Sequence, residues 1–233
     1  MKPKMDKLIE KLEREIHPLT SVVDRDEFIT ASEVAFDSIF DGTSRFYPWR
    51  MPCQIPKDFK LGVIVGSSGS GKSTLLKNFG QEEKPIWNPN KSIISHFENP
   101  EDGINKLSSV GFNSIPSWYK PYHVLSNGEK FRADLARKIK SNAVIDEYTS
   151  VVDRTVAKAA SVSLSRYIKN NDISGVVLST CHHDIVDWLE PDWVLNTDTG
   201  ELLSGFFLSD QKSISRYIAQ QMIVGECLKT ITI

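Results

Sequence analysis

Lys72 is the first residue to account for. It stands in Gly66-Ser67-Ser68-Gly69-Ser70-Gly71-Lys72-Ser73-Thr74, which satisfies the spacing G-x-x-x-x-G-K-[ST]. Glycines at that spacing let the backbone wrap an anion with successive N–H groups turned inward. The lysine then reaches the β- and γ-phosphates of a nucleoside triphosphate, and the Ser73 hydroxyl is a hard oxygen ligand for Mg²⁺. A second cluster is "NAVIDE", an apolar run that ends in Asp146-Glu147. A carboxylate at a strand end beside a phosphate cradle holds Mg²⁺ directly or through water. Glu147, one residue further on, can polarise an attacking water. In "STCHHD", which follows the apolar "GVVL", His182 and His183 compete for a bond to a γ-phosphate or to that water. The last cluster is "VLSNGEKFR", a polar loop that opens a basic helix. Free N–H groups at a helix start serve a cap or an anion equally well.

Such residues do chemistry only if the fold brings them to one edge. "KLGVIV" is a short β-branched run that predicts a buried strand directly before the cradle, and "GKSTLLKNF" has helical character after it. "EKFRADLARKIK" predicts a helix, "NAVID" a strand, "DRTVAKAASVSLSRYIK" a long helix, "SGVVLST" a strand and "HDIVDWLE" a short helix. "DWVLNTDTGELLSGFF" reads as a β-hairpin with Gly200 in its turn. Strands alternating with helices imply an α/β fold, a mostly parallel sheet flanked by helices. Upstream, Leu8, Ile9, Leu12 and Ile16 fall at helical spacing and predict an amphipathic helix up to His17-Pro18. "TASE" (Thr30–Glu33) looks like a capping box before "VAFDSIFDG", a run that fits helix or strand. "FYPWRMPCQIPKDF" should be irregular or edge structure, "VGFNSIPSWYKPYHV" loop, and "SISRYIAQQMIV" a last helix.

The totals narrow the class. A chain of 233 residues suffices for one sizeable core. Its formal charge of -2 excludes retention on nucleic acid by overall field, though not by a local patch. Cys53, Cys181 and Cys227 show no metal or disulfide spacing, which fits a reducing, cytoplasmic setting. The longest apolar runs are too short to span a bilayer, so no direct membrane insertion is expected. The first twenty residues are too charged for a signal peptide.

Taken in order, the cradle, "LSNGEKFRADLAR", "AVIDEYTSVVD" and "STCHHD" resemble an ABC-type ATPase, over roughly Lys60 to Leu203. That family's signature loop is Leu-Ser-Gly-Gly-Gln. Ser126 and Gly128 keep it, whereas Asn127 and Glu129 depart. The family's Walker B strand continues Asp-Glu-Pro-Thr-Ser-x-Leu-Asp. Here Tyr148 replaces the proline, and Ser150-Val151-Val152-Asp153 matches the D-loop. Spacing to "PDW" favours His182 as the switch histidine. The resemblance implies a P-loop fold with a small antiparallel β part and a short helical subdomain, about 97–141, carrying the signature. The ATPase domain would span 31–208, between a helical extension at 1–30 and a C-terminal extension at 209–233. It further implies ATP and Mg²⁺, hydrolysis by Glu147 with Lys72 and His182, and a homodimer formed on ATP binding. In that dimer the signature loop, Ser126, Asn127, Gly128 and Glu129, would bind the nucleotide held by the other subunit, and Asp153 of the D-loop joins the nucleotide-binding residues. The resemblance also implies that an aromatic upstream of the cradle stacks on adenine. Phe36, Phe40, Phe46 and Tyr47 are candidates, with Phe40 best spaced.

Transporter subunits carry a Gln after the strand that follows the cradle. "SIISHF" puts Ser95-His96 there, so His96 joins Ser73 and Asp146 as a metal-side candidate. About thirty residues separate His96 from Ser126, short for an arm that grips a membrane partner. The favoured expectation is therefore a soluble, non-transporter ATPase that remodels a macromolecular partner, DNA or a modifying enzyme. A transporter motor subunit and a nucleotide-gated binding module with negligible turnover are the alternatives. "CHHDIVDWLEPDW" is also similar to ABC ATPases fused to, or encoded beside, acetyltransferase domains in microbes and phages, and no acetyltransferase segment is present.

Overall fold

In the computed structural model of the protein, residues 9–11, 14–15, 17–52 and 55–204 are described. In chain order the elements are β1 (Ile9–Lys11), β2 (Leu19–Val22), α1 (Glu27–Phe36), β3 (Thr43–Phe46), β4 (Leu61–Val65) and α2 (Lys72–Leu76). A 3-10 turn (Ile93–His96), α3 (Pro100–Ser109), α4 (Ile115–Trp118) and a second 3-10 turn (Tyr122–Val124) follow. The remainder is α5 (Asn127–Lys138), β5 (Val144–Ile145), α6 (Arg154–Asn170), β6 (Val176–Thr180), α7 (Ile185–Leu189), β7 (Trp193–Asn196) and β8 (Glu201–Ser204).

All five residues of β4 are buried. A strand with no polar alternation must be covered on both faces, which is the condition of a parallel sheet between helices. Its side chains divide with period two. Leu61, Val63 and Val65 join Leu107, Phe112, Leu135, Leu164 and Leu189 in one core. Ile64 joins Leu75, Val177, Trp193 and Leu195 in the other. Gly62 lies where a Cβ would come within 2.1 Å of the Trp193 ring, so the largest buried side chain sits on the one position that has none. The main sheet has the order β1-β8-β7-β4-β6-β5. β7, β4, β6 and β5 run parallel, and β8 and β1 continue the sheet antiparallel. The expected mixed fold, mostly parallel with a small antiparallel part, is therefore observed. Among the described residues, no helix is long and apolar enough to cross a membrane.

α6 forms because its apolar and small positions recur at helical spacing. Ala157, Ala160, Ser161, Leu164, Ser165 and Ile168 are buried, and Asp153 caps its start. α3 packs against both α5 and α6 and ties the signature-bearing segment to the sheet.

The N-terminal expectation needs correction. Residues 9–11 form a strand, not a helix, pairing with β8 in the register Ile9↔Leu203. Arg14 bridges to Trp49, and residues 19–22 pair with β3. The open edge of β8 offers these residues a partner for their backbone groups, and that tertiary partner overrides the local period. "TASE" is likewise not the cap of α1. Asp26 is, accepting from the Ile29 N–H, and Thr30 lies inside the helix. The run that fits helix or strand is helical to Phe36, then turns at Asp37 in the left-handed region. The loop expected over 110–124 contains the short α4 and a 3-10 turn. The expected final helix and the extension at 209–233 lie outside the described residues.

Candidate functional site

The cradle follows β4 directly. The Gly66 N–H donates to the Thr180 carbonyl of β6, which fixes where the loop leaves the sheet (3.2 Å). Gly71 opens α2 at φ 97° with no side-chain cap, and a Cβ there would meet the Phe46 ring at 2.9 Å. Both the left-handed backbone and the close ring require glycine. Lys72 Nζ donates to the Ser67 carbonyl at 2.6 Å, within the loop it closes. Lys72, Ser73, Thr74, Asp146, Glu147 and Ser150 line one cavity of about 330 Å³, with Phe46 and Cys181 also on its walls. The two most specific sequence clusters thus meet at a single edge of the sheet.

The carboxylates are held by the neighbouring strand. Asp146 Oδ1 accepts from the Ser179 hydroxyl and from the Glu147 N–H (3.0 Å). That leaves Oδ2 as the oxygen available to a cation. Glu147 has φ 50° and Thr149 φ 65°. Left-handed backbone at non-glycine residues costs roughly 1–3 kcal/mol each and persists only where its surroundings impose it. Tyr148 explains how. Its N–H donates to the Ser179 carbonyl at 2.7 Å, a bond that proline cannot make. Its buried hydroxyl bonds Ser161 of α6 at 3.1 Å, and its carbonyl accepts from Thr180 Oγ1 at 3.0 Å. A proline at 148 would also push Glu147 toward extended backbone. Tyrosine rather than proline at 148 is thus compatible with the observed Glu147 conformation.

A second cavity, about 420 Å³, is lined by the same acids. Asp146, Glu147 and Ser150 share it with Asn127, Lys130 and Phe131 of α5. The signature loop itself is a complete capping box. Ser126 Oγ accepts from the Glu129 N–H (3.3 Å), and Glu129 Oε2 accepts from the Ser126 N–H (2.9 Å). Glu129 Oε1 accepts from the Ser117 hydroxyl at 2.6 Å. Ser117, then the Ser126 amide, hold the Glu129 carboxyl down to about 2. A Cβ on Gly128 would meet only Val152, at 3.9 Å, so nothing within the subunit demands glycine there.

The other expected residues divide. Asp153 Oδ1 accepts from the Thr155 and Val156 N–H groups of α6. The His182 N–H donates to Thr180 Oγ1, and burial, then Arg154, lowers its ring pKa against the pull of Asp184. Arg154 itself is paired with Asp184, which links the start of α6 to the loop that carries both histidines. His183 points elsewhere, its Nε2 lying 3.8 Å from Asp198 Oδ2.

Two expectations are not met. His96 does not join Ser73 and Asp146. Its Nε2 accepts from the Asn88 N–H at 2.9 Å, its Nδ1 lies 2.8 Å from the Ser92 carbonyl, and its ring packs on Trp87. Both ring nitrogens are engaged in holding a local turn. Phe40 does not reach the cavity, because its backbone is tied to Glu33 and Arg25 beyond α1. Phe46, another of the upstream aromatics, lines the cavity instead, since β3 carries it there. Sequence reasoning missed Thr197 and Asp198, which contact the cradle from the β7–β8 turn. The available signal was a polar turn following a strand parallel to β4.

No protein-family model and no curated protein matches the chain. Among solved structures it is similar to the ATP-binding cassette MJ0796 in a dimeric post-hydrolysis state bound to ADP and Pi. The TM-score is 0.53 at 16% identity, over 85% of this chain and 100% of that one. A second dimeric structure of MJ0796, a bacterial ABC transporter cassette, matches at TM-score 0.49 and 15% identity, over 81% of this chain and 93% of that one. The chain has the fold of an ATP-binding cassette.

Proposed function

We propose that this chain is an ABC-type ATPase that hydrolyses ATP to ADP and phosphate in the composite sites of a head-to-tail homodimer. The observation that carries the reading is one cavity holding Lys72 and Ser73 together with Asp146 and Glu147. Lys72 leaves the Ser67 carbonyl for the β- and γ-phosphates, while the loop N–H groups take the remaining oxygens. The Ser73 hydroxyl and Asp146 Oδ2 are hard oxygen donors that fit Mg²⁺. When bound, that ion neutralises charge developing on the β- and γ-oxygens. Glu147 orients a water. As the water oxygen bonds to the γ-phosphorus, the bond to the β-phosphate oxygen breaks, and Glu147 accepts the water's proton. His182, which burial keeps toward its neutral form, contacts the γ-phosphate from the adjacent strand end. Phe46 is the aromatic we assign to the base.

The second subunit supplies Ser126 and the Gly128 amide. Gly128 supports this, because its bareness serves no contact in its own chain and would admit a neighbouring phosphate. The nucleotide-driven closure would drive a macromolecular partner, protein or DNA, from an ATPase domain that takes in β1 and β2 as well as the residues from 31 onward. The short α3–α5 segment supports a partner other than a membrane channel.

Mixing two inactive variants tests the composite site. Lys72→Ala spoils the cradle of its own chain, and Ser126→Arg spoils the loop offered to the partner. A heterodimer has one interface made of two spoiled halves and one made of two intact halves. Phosphate release should reappear on mixing, at up to about half the wild-type rate if sites fire independently. A linked dimer with both lesions in one half separates the remaining cases. Activity there, with no recovery in the mixed heterodimer, would show that the loop acts only within its own subunit.

A further inference from the structure

The turn between β7 and β8 is built against the back of the cradle. Asp198 receives two donors from Ser67, its N–H at 3.0 Å and its hydroxyl at 2.6 Å. Thr197 Oγ1 bonds Ser70 Oγ at 2.6 Å and also contacts the Val65 carbonyl, while the Thr197 N–H donates to that carbonyl at 2.8 Å. The turn can come this close only because Gly66 is bare. A Cβ there would lie 2.0 Å from Thr197 Oγ1. The first glycine of the motif therefore serves this turn. Ser67 in turn offers its carbonyl to Lys72, so a chain of contacts runs from Asp198 through Ser67 to the lysine ammonium. His183 approaches the same carboxylate from the histidine-bearing loop, its Nε2 without a hydrogen bond at 3.8 Å. Burial works against the charge on Asp198, but His183 and the Ser67 donors outweigh it and hold the carboxyl at about 2.

We infer that Asp198 is a positioning residue for nucleotide binding, bracing the first turn of the cradle before ligand arrives, and that His183 seats the histidine loop on the same brace. The inference rests on reading the cradle as a nucleotide site. It divides the two histidines by task, with His182 toward the phosphate and His183 toward the turn. Preorganised donors bind an anion without the ordering that a loose loop would require. Asp198 touches neither the carboxylates nor the cavity that holds them, so it acts on affinity rather than on the bond-breaking step.

Two readouts on the 233-residue chain test this. The first is amide hydrogen exchange over residues 66–71 without nucleotide, in wild type, Asp198→Ala and His183→Ala. Asp198→Ala should speed exchange at Ser67 and its neighbours by about tenfold or more, because an acceptor of two donors is gone. His183→Ala should speed it less, and should add nothing in the Asp198→Ala background. The second is titration with ATP and with ADP. Asp198→Ala should raise both Kd values roughly tenfold, through the loss of the charge-assisted brace on Ser67, with kcat at saturation within about twofold. Should Asp198→Ala fail to fold, Ser67→Ala removes the hydroxyl contact alone and should raise Kd about threefold. Wild-type exchange in a folded Asp198→Ala chain overturns the brace, as does unchanged affinity in Ser67→Ala. If wild type binds neither nucleotide, the reading of the site falls and the role in nucleotide binding with it. The exchange measurement still decides whether the brace exists.

Discussion

The cradle and the signature loop both deliver the chain into a helix, and they treat the helix's free N–H groups in opposite ways. Gly71 opens α2 with no side chain over its amides. Ser126 opens α5 with a closed capping box, in which Glu129 answers the Ser126 amide and Ser126 answers that of Glu129. One loop is left open for an anion, and the other already carries an anion of its own. The family signature that this loop resembles has a neutral Gln where Glu129 stands. The difference teaches that helix starts of similar sequence character can be poised for opposite work. It also sets a condition on the composite site. Before Ser126 can meet a partner's phosphate, its hydroxyl must leave Glu129, and a carboxylate must be tolerated beside that phosphate.

The largest effect tests the acid that faces the open loop across the cavity. Glu147→Gln should cut phosphate release by at least about a hundredfold while nucleotide affinity stays within a few-fold, because the side chain keeps its shape and loses its basic oxygen. Light scattering after gel filtration should find a dimer in ATP and a monomer in ADP. A monomer in both would remove any role for the signature loop in trans. A middling effect tests the closed loop as structure. Ser126→Ala should cost about 1 kcal/mol in chemical denaturation, the usual loss for a helix cap, a contact that the start of α2 lacks. The smallest effect addresses the charge. Glu129→Gln should tighten the ATP-dependent dimer of the Glu147→Gln chain a few-fold, by removing an anion from the phosphate's path. Its pH signature follows from the sign of the shift. The Glu129 carboxyl is held below its ordinary value of 4.5, at about 2. Its contribution to stability is present above pH 4.5 and is lost as pH falls through about 2. Glu129→Gln should flatten the stability profile in that window. An unchanged profile would mean that the capping box does not hold in solution.

Legibility in the sequence followed burial. β4, β5, β6 and α6 were readable because Val63, Ile64, Val144, Leu164 and Val177 enter a core that rewards one period only. The cradle, the acids and the signature loop were readable because phosphate and metal chemistry constrain residue type as well as spacing. Around residues 17–52 that constraint is missing. α1 has no buried residue, and Phe28 and Ile39 are 73% and 96% exposed. Nothing in a hydrophobic pattern could mark its ends, and the actual cap, Asp26, needed a side-chain bond to be recognised. Residues 9–11 became a strand through a partner almost two hundred positions away, at Leu203. Phe40 and His96 failed for a related reason. Spacing placed them near the site, but Glu33 and Asn88 hold them in local turns. Asp198 escaped notice because a carboxylate in a hairpin turn is ordinary until the strand before it is known to lie beside β4.

Cys181 follows β6 on the wall of the cavity, and its thiol is exposed. That gives the molecule a built-in gauge of occupancy. In a chain with Cys53 and Cys227 changed to serine, a maleimide would have a single thiol to find, and that thiol looks onto the space a triphosphate would fill. The alkylation rate should fall as nucleotide binds and recover as product leaves. Labelling kinetics would then time each stage of a cycle without a coupled enzyme, a radioactive label or a modified nucleotide.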